Sequence, residues 1–373
     1  MILIAEAIHD AQRLKELQAL PLERKIQITQ TRIIEWYQHY HGQVCVSFSG
    51  GKDSTVLLHI ARKIYPDIPA VFSNTGLEYP EIQRFVKSFD NVDIVTPAIR
   101  FDEVVSSYGY PLISKDVSKD IHEARQKNYK RAKSKFDINS EYCQKYGKRY
   151  CKEKWLPLLH MPLLISHLCC NKMKKEPIHH YLKANNMKQI VATLAVESEI
   201  RKNAWIAHGC NAFDSKIPTS QPMSFWTEQD VLAYIAKYGV EIAAVYGDIV
   251  SMGPDGNEYP PLDLYGKPQC NLKCTGCQRT GCIFCAFGSH LERMGETKFQ
   301  LLARTHPRQY EYSIGGGQWV DNPHYDPTAP KFDGEWQNWN PKQIWVPSKK
   351  GLGMGKVFDM VNEIYGKDFY RYE

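Results

Sequence analysis

The chain has 373 residues, of which 43% are hydrophobic and 24% charged, with a formal net charge of +6. That length exceeds one typical domain, so a main core of roughly 200 residues with a smaller module is expected. The apolar residues fall in runs too short to span a bilayer, and no charged-then-apolar leader opens the chain, so the expectation is a soluble, cytoplasmic protein with no membrane partner.

Taken in chain order, Leu22 to Tyr40 carries Ile26, Ile33, Ile34 and Tyr37 on a helical period, and Gly42 ends it. Val44 to Phe48 reads as a buried strand. Ser54 to Ile64 reads as a helix with Val56, Leu57, Ile60 and Ile64 on its inner face. A strand near Ala70 to Phe72, a helix over Pro80 to Phe89, a strand at Val92 to Val95 and a helix at Phe101 to Tyr108 follow. Such alternation implies a parallel sheet with helices on both faces. From Ser114 the alternation gives way to a Lys- and Tyr-rich stretch that ends at Trp155. It resumes with a helix over Lys172 to Ala184 and a strand at Gln189 to Leu194. A further helix has Thr227 as N-cap, Asp230 at N3 and Gly239 as its close. The expected layout is a helical segment at 1–41, a core from 42–113 and 155–250, a basic insertion at 114–154, and a Cys-rich module with its tail at 251–373.

The stretch Ser47-Phe48-Ser49-Gly50-Gly51-Lys52-Asp53-Ser54 turns a strand directly into a helix. Backbone N–H groups at the positive end of that helix make an anion cradle, to which Ser49 and Ser54 add hydroxyls and Lys52 a charge. The spacing is neither that of the Walker loop nor that of the dinucleotide fingerprint. Ser49, Gly50, Gly51, Asp53 and Ser54 resemble the SGGxDS signature of the PP-loop ATP pyrophosphatase superfamily. More of the chain is similar to one branch, the phosphoadenylylsulfate (PAPS) reductase family. The segment from Ser73 to Glu81, with Asn74, Thr75 and Gly76, looks like that family's (D/N)TG segment. Glu197 to Arg201 resembles its E-S-x-x-R motif, and the run from Gln221 to Ile235 its tryptophan-bearing helix.

The resemblance implies a three-layer adenine nucleotide α-hydrolase-like core that binds ATP with Mg²⁺. Ser47, Ser49, Gly50, Gly51, Lys52, Asp53, Ser54, Asn74, Thr75, Gly76 and Glu197 would bind the nucleotide, and Lys52, Asp53 and Arg201 would carry the chemistry. Sulfonucleotide reductases of this family use a cysteine in a tail of the type E-C-G-(I/L)-H, whereas no cysteine follows Cys285 here. The SGGxDS loop, which reductases tend to lose, is intact. The expected function is therefore ATP cleavage that adenylylates an acceptor, followed by sulfur transfer. DNA phosphorothioation and tRNA thiolation enzymes are the nearest types, and a cysteine desulfurase is the expected sulfur donor. A sulfonucleotide reductase and a non-catalytic nucleotide-binding module with a structural metal are the alternatives, and a homodimer is compatible with each.

Eleven cysteines, five of them between Cys270 and Cys285, are spaced for metal or sulfur chemistry rather than for a disulfide frame. Cys169 and Cys170 with Cys282 and Cys285 resemble the CC…CxxC ligands of a [4Fe-4S] cluster in one class of these reductases. A local alternative is Zn²⁺ on Cys274, Cys277, Cys282 and Cys285. Between Lys119 and Lys154 stand 12 Lys/Arg against 5 Asp/Glu, so this segment holds essentially all of the net positive charge. Its basic residues Lys127, Lys130, Arg131, Lys133 and Lys135, interleaved with aromatics, suit contact with nucleic acid, DNA or tRNA.

Overall fold

The structure is a computed structural model that describes residues 9–126, 134–268, 270–328 and 339–373. The chain forms two compact units, Met1–Thr96 with Pro177–Cys282 and Pro97–Glu176 with Ile283–Glu373.

The first unit is built on a six-stranded sheet of β1 (Val44–Ser47), β2 (Ala70–Ser73), β3 (Val92–Val95), β4 (Lys188–Val191), β5 (Asn211–Ala212) and β6 (Thr219–Ser220). Its order is β3-β2-β1-β4-β6-β5, and all neighbours are parallel except the edge pair β5–β6. Val44, Cys45 and Val46 are fully buried, as expected of a central parallel strand covered on both faces. From β1 the chain winds outward through the helix Lys52–Ile64 to β2 and the helix Pro80–Lys87 to β3, then returns to the other side of β1 as β4. The strand order therefore reverses between β1 and β4, which opens a crevice at their carboxyl ends.

The parallel α/β sheet is the expected one, but several boundaries differ. The first crossover helix begins at Lys52 rather than Ser54, with Gly51 as its N-cap. β4 stops at Val191 instead of Leu194. The helix expected from Lys172 becomes α-helical only over Glu176–Ala184, after a π turn at Asn171–Lys175. Pro177 has no N–H to return to Met173, so the α ladder cannot run through this point.

Buried polar contacts fix the helix Glu228–Tyr238 in this unit. Thr227 and Asp230 form its capping box, and Gly239 closes it in the left-handed conformation at φ 58°. Asp230 Oδ2 also accepts from Lys25 Nζ at 2.6 Å, on the helix Leu22–His39. Trp226 Nε1 donates to Thr29 Oγ1 at 2.9 Å, and that hydroxyl donates to the Pro222 carbonyl. A smaller antiparallel sheet, β8 (Glu258–Tyr259), β7 (Ile249–Met252) and β9 (Asn271–Cys274), packs in the same unit. The Gln229 amide bonds both the N–H and the carbonyl of Leu272, which ties β9 to the start of the Glu228–Tyr238 helix.

In the second unit the stretch expected as a basic insertion begins with the helix Lys115–Ala124 and contains the helix Glu141–Tyr146. Arg125 is half-buried, donates to the carbonyls of Leu158, Leu159, Met161 and Leu163, and lies 4.5 Å from the Trp339 ring. Burial pushes its pKa down to about 9. Asp120, with no exposed surface, accepts from both Lys135 and Lys152. Lys135 is thus committed inside the unit rather than offered to solvent. The expected nucleic-acid residues Lys127, Lys130, Arg131 and Lys133 lie outside the described residues.

Gly50 holds the turn out of β1. Its φ is +70°, and a Cβ there would stand 2.7 Å from Val86 Cγ2 and 2.8 Å from Ile82 Cγ2. Gly50→Ala meets both penalties and should cost about 1–3 kcal/mol. The check is urea unfolding, where the midpoint should fall with an unchanged denaturant slope.

Candidate nucleotide-binding site

The turn that leaves β1 is braced by its own hydroxyls. Ser54 Oγ accepts from Ser49 N at 3.2 Å, stands 3.0 Å from Ser49 Oγ, and donates to the Gly51 carbonyl at 2.9 Å. Thr55 Oγ1 donates to the same carbonyl at 3.0 Å. These bonds hold Gly51 at the amino end of its helix, where backbone N–H groups and the helix dipole favour an anion.

Lys52 is only 5% exposed, yet its charge is fully compensated. Its Nζ donates to the Gln278 carbonyl at 2.6 Å and pairs with Glu228 Oε1 at 2.8 Å. Its backbone N–H donates to Tyr246 Oη at 3.2 Å, and Tyr246 Oη lies 2.5 Å from Thr280 Oγ1. The segment from Cys274 to Gly281 therefore roofs the glycine turn. That segment is shaped by Gln278, whose side chain bonds the N–H and carbonyl of Cys274 and the carbonyl of Gly276. Gly276 packs where a Cβ would be 2.5 Å from the Val245 carbonyl, so no other residue fits the contact.

Beside this turn lies a cavity of about 420 Å³. Ser49, Gly51, Lys52 and Asp53 line it from the end of β1, Glu197 and Arg201 from beyond β4, and Glu228, Tyr246, Arg279, Thr280 and Gly281 complete it. It sits at the reversal in strand order. Ser198 caps the helix Glu199–His208, accepting from Arg201 N, and so places Arg201 on the first turn facing the cavity. The Glu197 carboxylate pairs with Arg201 and lies 3.9 Å from Arg279.

Of the residues expected to bind nucleotide, Ser49, Gly51, Lys52, Asp53 and Glu197 come together with Arg201 in this cavity. Ser47, Gly50 and Ser54 support it without lining it. Ser47 Oγ donates to Gln189 Oε1 on β4, and Gly50 faces Ile82 and Val86. Asn74, Thr75 and Gly76 form a separate turn after β2, where Thr75 bonds Glu78 through both N and Oγ1 and Gly76 N bonds Asn74 Oδ1. The sequence reading missed Glu228, Tyr246, Arg279 and Thr280 as site residues. Arg279 and Thr280 stand between the two CxxC pairs, the one signal that could have drawn attention to them.

The expected ligand sets, Cys169, Cys170, Cys282 and Cys285 or Cys274, Cys277, Cys282 and Cys285, each draw on both units. Among the described residues, no three or more His, Cys, Asp or Glu gather as a metal ion requires, and all eleven cysteines are thiols. Cys169, Cys170 and Cys285 belong to one unit, whereas Cys274, Cys277 and Cys282 belong to the other. Within its unit the Cys170 thiol is pulled down to about 6 by a hydrogen bond with Cys169, with Lys115, Lys174 and Lys175 adding to the effect against burial. Burial pushes the Cys274 thiol up.

Sheet, switch point and braced glycine turn define an α/β protein with a polar cavity at the carboxyl ends of its strands. The model of the phosphoadenosine phosphosulfate reductase domain matches residues 43–111 and 100–287, so the chain belongs to that family. An adenosine 5'-phosphosulfate reductase of Bacillus cytotoxicus is 24% identical over 216 residues, 56% of this chain and 70% of the relative. An uncharacterized protein of Methanocaldococcus jannaschii is 28% identical over 151 residues, 39% of this chain. A phosphoadenosine 5'-phosphosulfate reductase of Serratia proteamaculans is 37% identical over 54 residues, 14% of this chain. The matches span only 33% and 22% of the latter two relatives. The crystal structure of a phosphoadenylyl-sulfate reductase from Candida auris aligns with a TM-score of 0.33 at 14% identity, over 63% of this chain and 90% of that one.

Burial pushes the Asp53 carboxyl above the usual carboxylate range. Lys52 opposes this most strongly, Glu228 reinforces it, and Arg279 and Arg201 also pull it down. A carboxyl raised on folding costs nothing in acid, where both states are protonated, and its full cost falls above the folded pKa. Asp53→Asn removes the ionisable group at nearly constant shape. Thermal unfolding should show the variant more stable than wild type near neutrality, with the gap closing as pH falls through the carboxylate range.

Proposed function

We propose that the cavity between β1 and β4 binds ATP and cleaves it between the α and β phosphates, adenylylating an acceptor for sulfur transfer. The observation that carries this reading is the complete SGGKDS turn at the switch point, with Asp53, Arg201 and Arg279 converging on one cavity. Phosphate oxygens would take the helix N–H groups and the two guanidinium groups, which suit bidentate contacts. Asp53 and Glu228 offer two carboxylates to one cavity, a number suited to a magnesium ion that also binds phosphates. Such an ion would neutralise charge on the triphosphate. An acceptor oxygen attacks the α phosphorus, the bond to the bridging oxygen breaks, and pyrophosphate leaves with the electron pair. The outer sulfur of a persulfide, for which a cysteine desulfurase is the proposed source, then displaces AMP from the acceptor, and a second thiol cleaves the resulting disulfide to release the thiolated acceptor.

We propose nucleic acid as the acceptor class, on the charge excess between Lys119 and Lys154. The test is pyrophosphate release from ATP, alone and with DNA or tRNA added. Asp53→Ala should abolish release in a folded protein, and Arg201→Ala should lower kcat about 10²–10³-fold by removing a donor to developing charge. ATP cleavage at the wild-type rate by Asp53→Ala would sink the reading.

A second reading, reduction of a sulfonucleotide, is favoured by the names of the relatives. It predicts sulfite release from phosphoadenosine phosphosulfate or adenosine phosphosulfate with a thiol reductant, and no pyrophosphate from ATP.

A further inference from the structure

A second cavity, of about 430 Å³, lies in the same unit, between the two N-terminal helices and the last turns of the helix Glu199–His208. Arg13, Arg24 and Arg32 face it from the N-terminal side. Trp205 and Cys210 line it opposite them. That helix carries Arg201 of the nucleotide cavity on its first turn and Trp205 of this one a turn later.

Leu17, Ile28, Phe213 and Phe225 make part of the lining apolar, and the three arginines dominate its polar part. Its one carboxylate, Glu35, is taken by Arg32 at 2.7 and 2.9 Å and by Asn211 Nδ2 at 3.4 Å. Arg13 pairs with Glu16 through Nη1 alone, and Arg24 bonds only a neutral amide, Gln27 Oε1 at 2.8 Å. Both keep donors in reserve, since each guanidinium has five N–H groups. Trp205 is 2% exposed, and among the described residues the one partner of its indole N–H is the Cys210 thiol, with no oxygen or nitrogen acceptor in reach. A thiol sulfur is a weak acceptor for a buried donor, and an acceptor-rich ligand offers a stronger one. The neighbouring Cys210 thiol is pushed up to about 11, chiefly by burial, so it adds no negative charge near neutrality. The cavity is within the size range of small-ligand sites.

We propose that this cavity is a second anion site that takes a phosphate-bearing ligand, separate from the nucleotide cavity and independent of the ATP reading. Three guanidinium groups supply charge and directed donors, and the Trp205 indole supplies the buried donor that fixes the ligand's inner end. Inorganic phosphate and a nucleoside monophosphate share this chemistry, and titration with each distinguishes the sources.

The test uses the full chain labelled with 5-fluorotryptophan and read by fluorine NMR, with the Trp205 resonance assigned by its loss in Trp205→Phe. Inorganic phosphate and AMP are titrated separately. The Trp205 resonance should shift saturably with at least one of them. An AMP midpoint well below that of phosphate identifies a nucleotide, and equal midpoints identify the phosphate group alone. Arg24→Ala and Arg13→Ala, both at exposed side chains, should fold normally and each raise the midpoint about tenfold or more. Asp53→Ala should leave this titration unchanged, which separates it from failure or success at the nucleotide cavity. A Trp205 resonance that stays fixed under both probes overturns the proposal, as does a midpoint insensitive to both arginine variants.

Discussion

The ammonium of Lys52 is the constraint on which the site depends. A lysine charge with almost no access to water persists only if it is paired and hydrogen-bonded. Its two partners come from distant parts of the chain, Glu228 at the start of a helix and the Gln278 carbonyl in the cysteine-rich loop. Because both must be present, the glycine turn, the Glu228–Tyr238 helix and the roof from Cys274 to Gly281 are held in one arrangement. Gln229 reinforces it from the next position by bonding β9, and Asp230 from the one after by capping its helix and pairing with Lys25. Three consecutive polar residues thus do three separate jobs, and the helix start is where they meet.

The same cluster explains why the cavity is electrostatically strained. Lys52, Arg201 and Arg279 stand against Asp53, Glu197 and Glu228, so the lining is balanced in formal charge but not in position. Glu197 satisfies the arginines while Asp53, enclosed and near Glu228, is left with a raised pKa. A carboxylate kept in such a place lowers stability, and perturbed groups of this kind gather at functional sites. An arriving polyanion would compete with Glu197 for both arginines, so the acidic residue sets how strongly the empty cavity holds its own cations.

Much of the core was legible because it obeys local rules. Val44 to Ser47 reads as buried parallel strand from its composition, and Thr227, Asp230 and Gly239 announce both ends of their helix. The glycine turn was legible as a tight strand-to-helix turn because its residue types allow little else. What could not be read was assembly at long range. Tyr246 and Thr280 meet across 34 residues, and Lys52 and Gln278 across 226, with no periodicity to signal either contact. The charge run from Lys119 misled in part for the same reason. Lys135 and Lys152 look like solvated cations in sequence, but both are spent on the buried Asp120. Composition counts charges and does not see their partners.

The roof over the glycine turn also limits how an anion can enter. The Lys52 N–H, the first donor of its helix, already points at Tyr246 Oη, and that hydroxyl is shared with Thr280. A phosphate oxygen at this N–H must displace the tyrosine hydroxyl, which would keep its bond with Thr280. Tyr246 is buried, and burial pushes its phenol pKa up, so it stays a neutral donor and acceptor. A neutral hydroxyl is a weaker acceptor than a phosphate oxygen, which favours the exchange once the ligand is present. Because Gly247 and Gly276 pack tightly against Thr275 and the Val245 carbonyl, the tyrosine cannot shift without its loop. One hydroxyl thus joins the first N–H of the glycine turn's helix to Thr280 in the cysteine-rich loop.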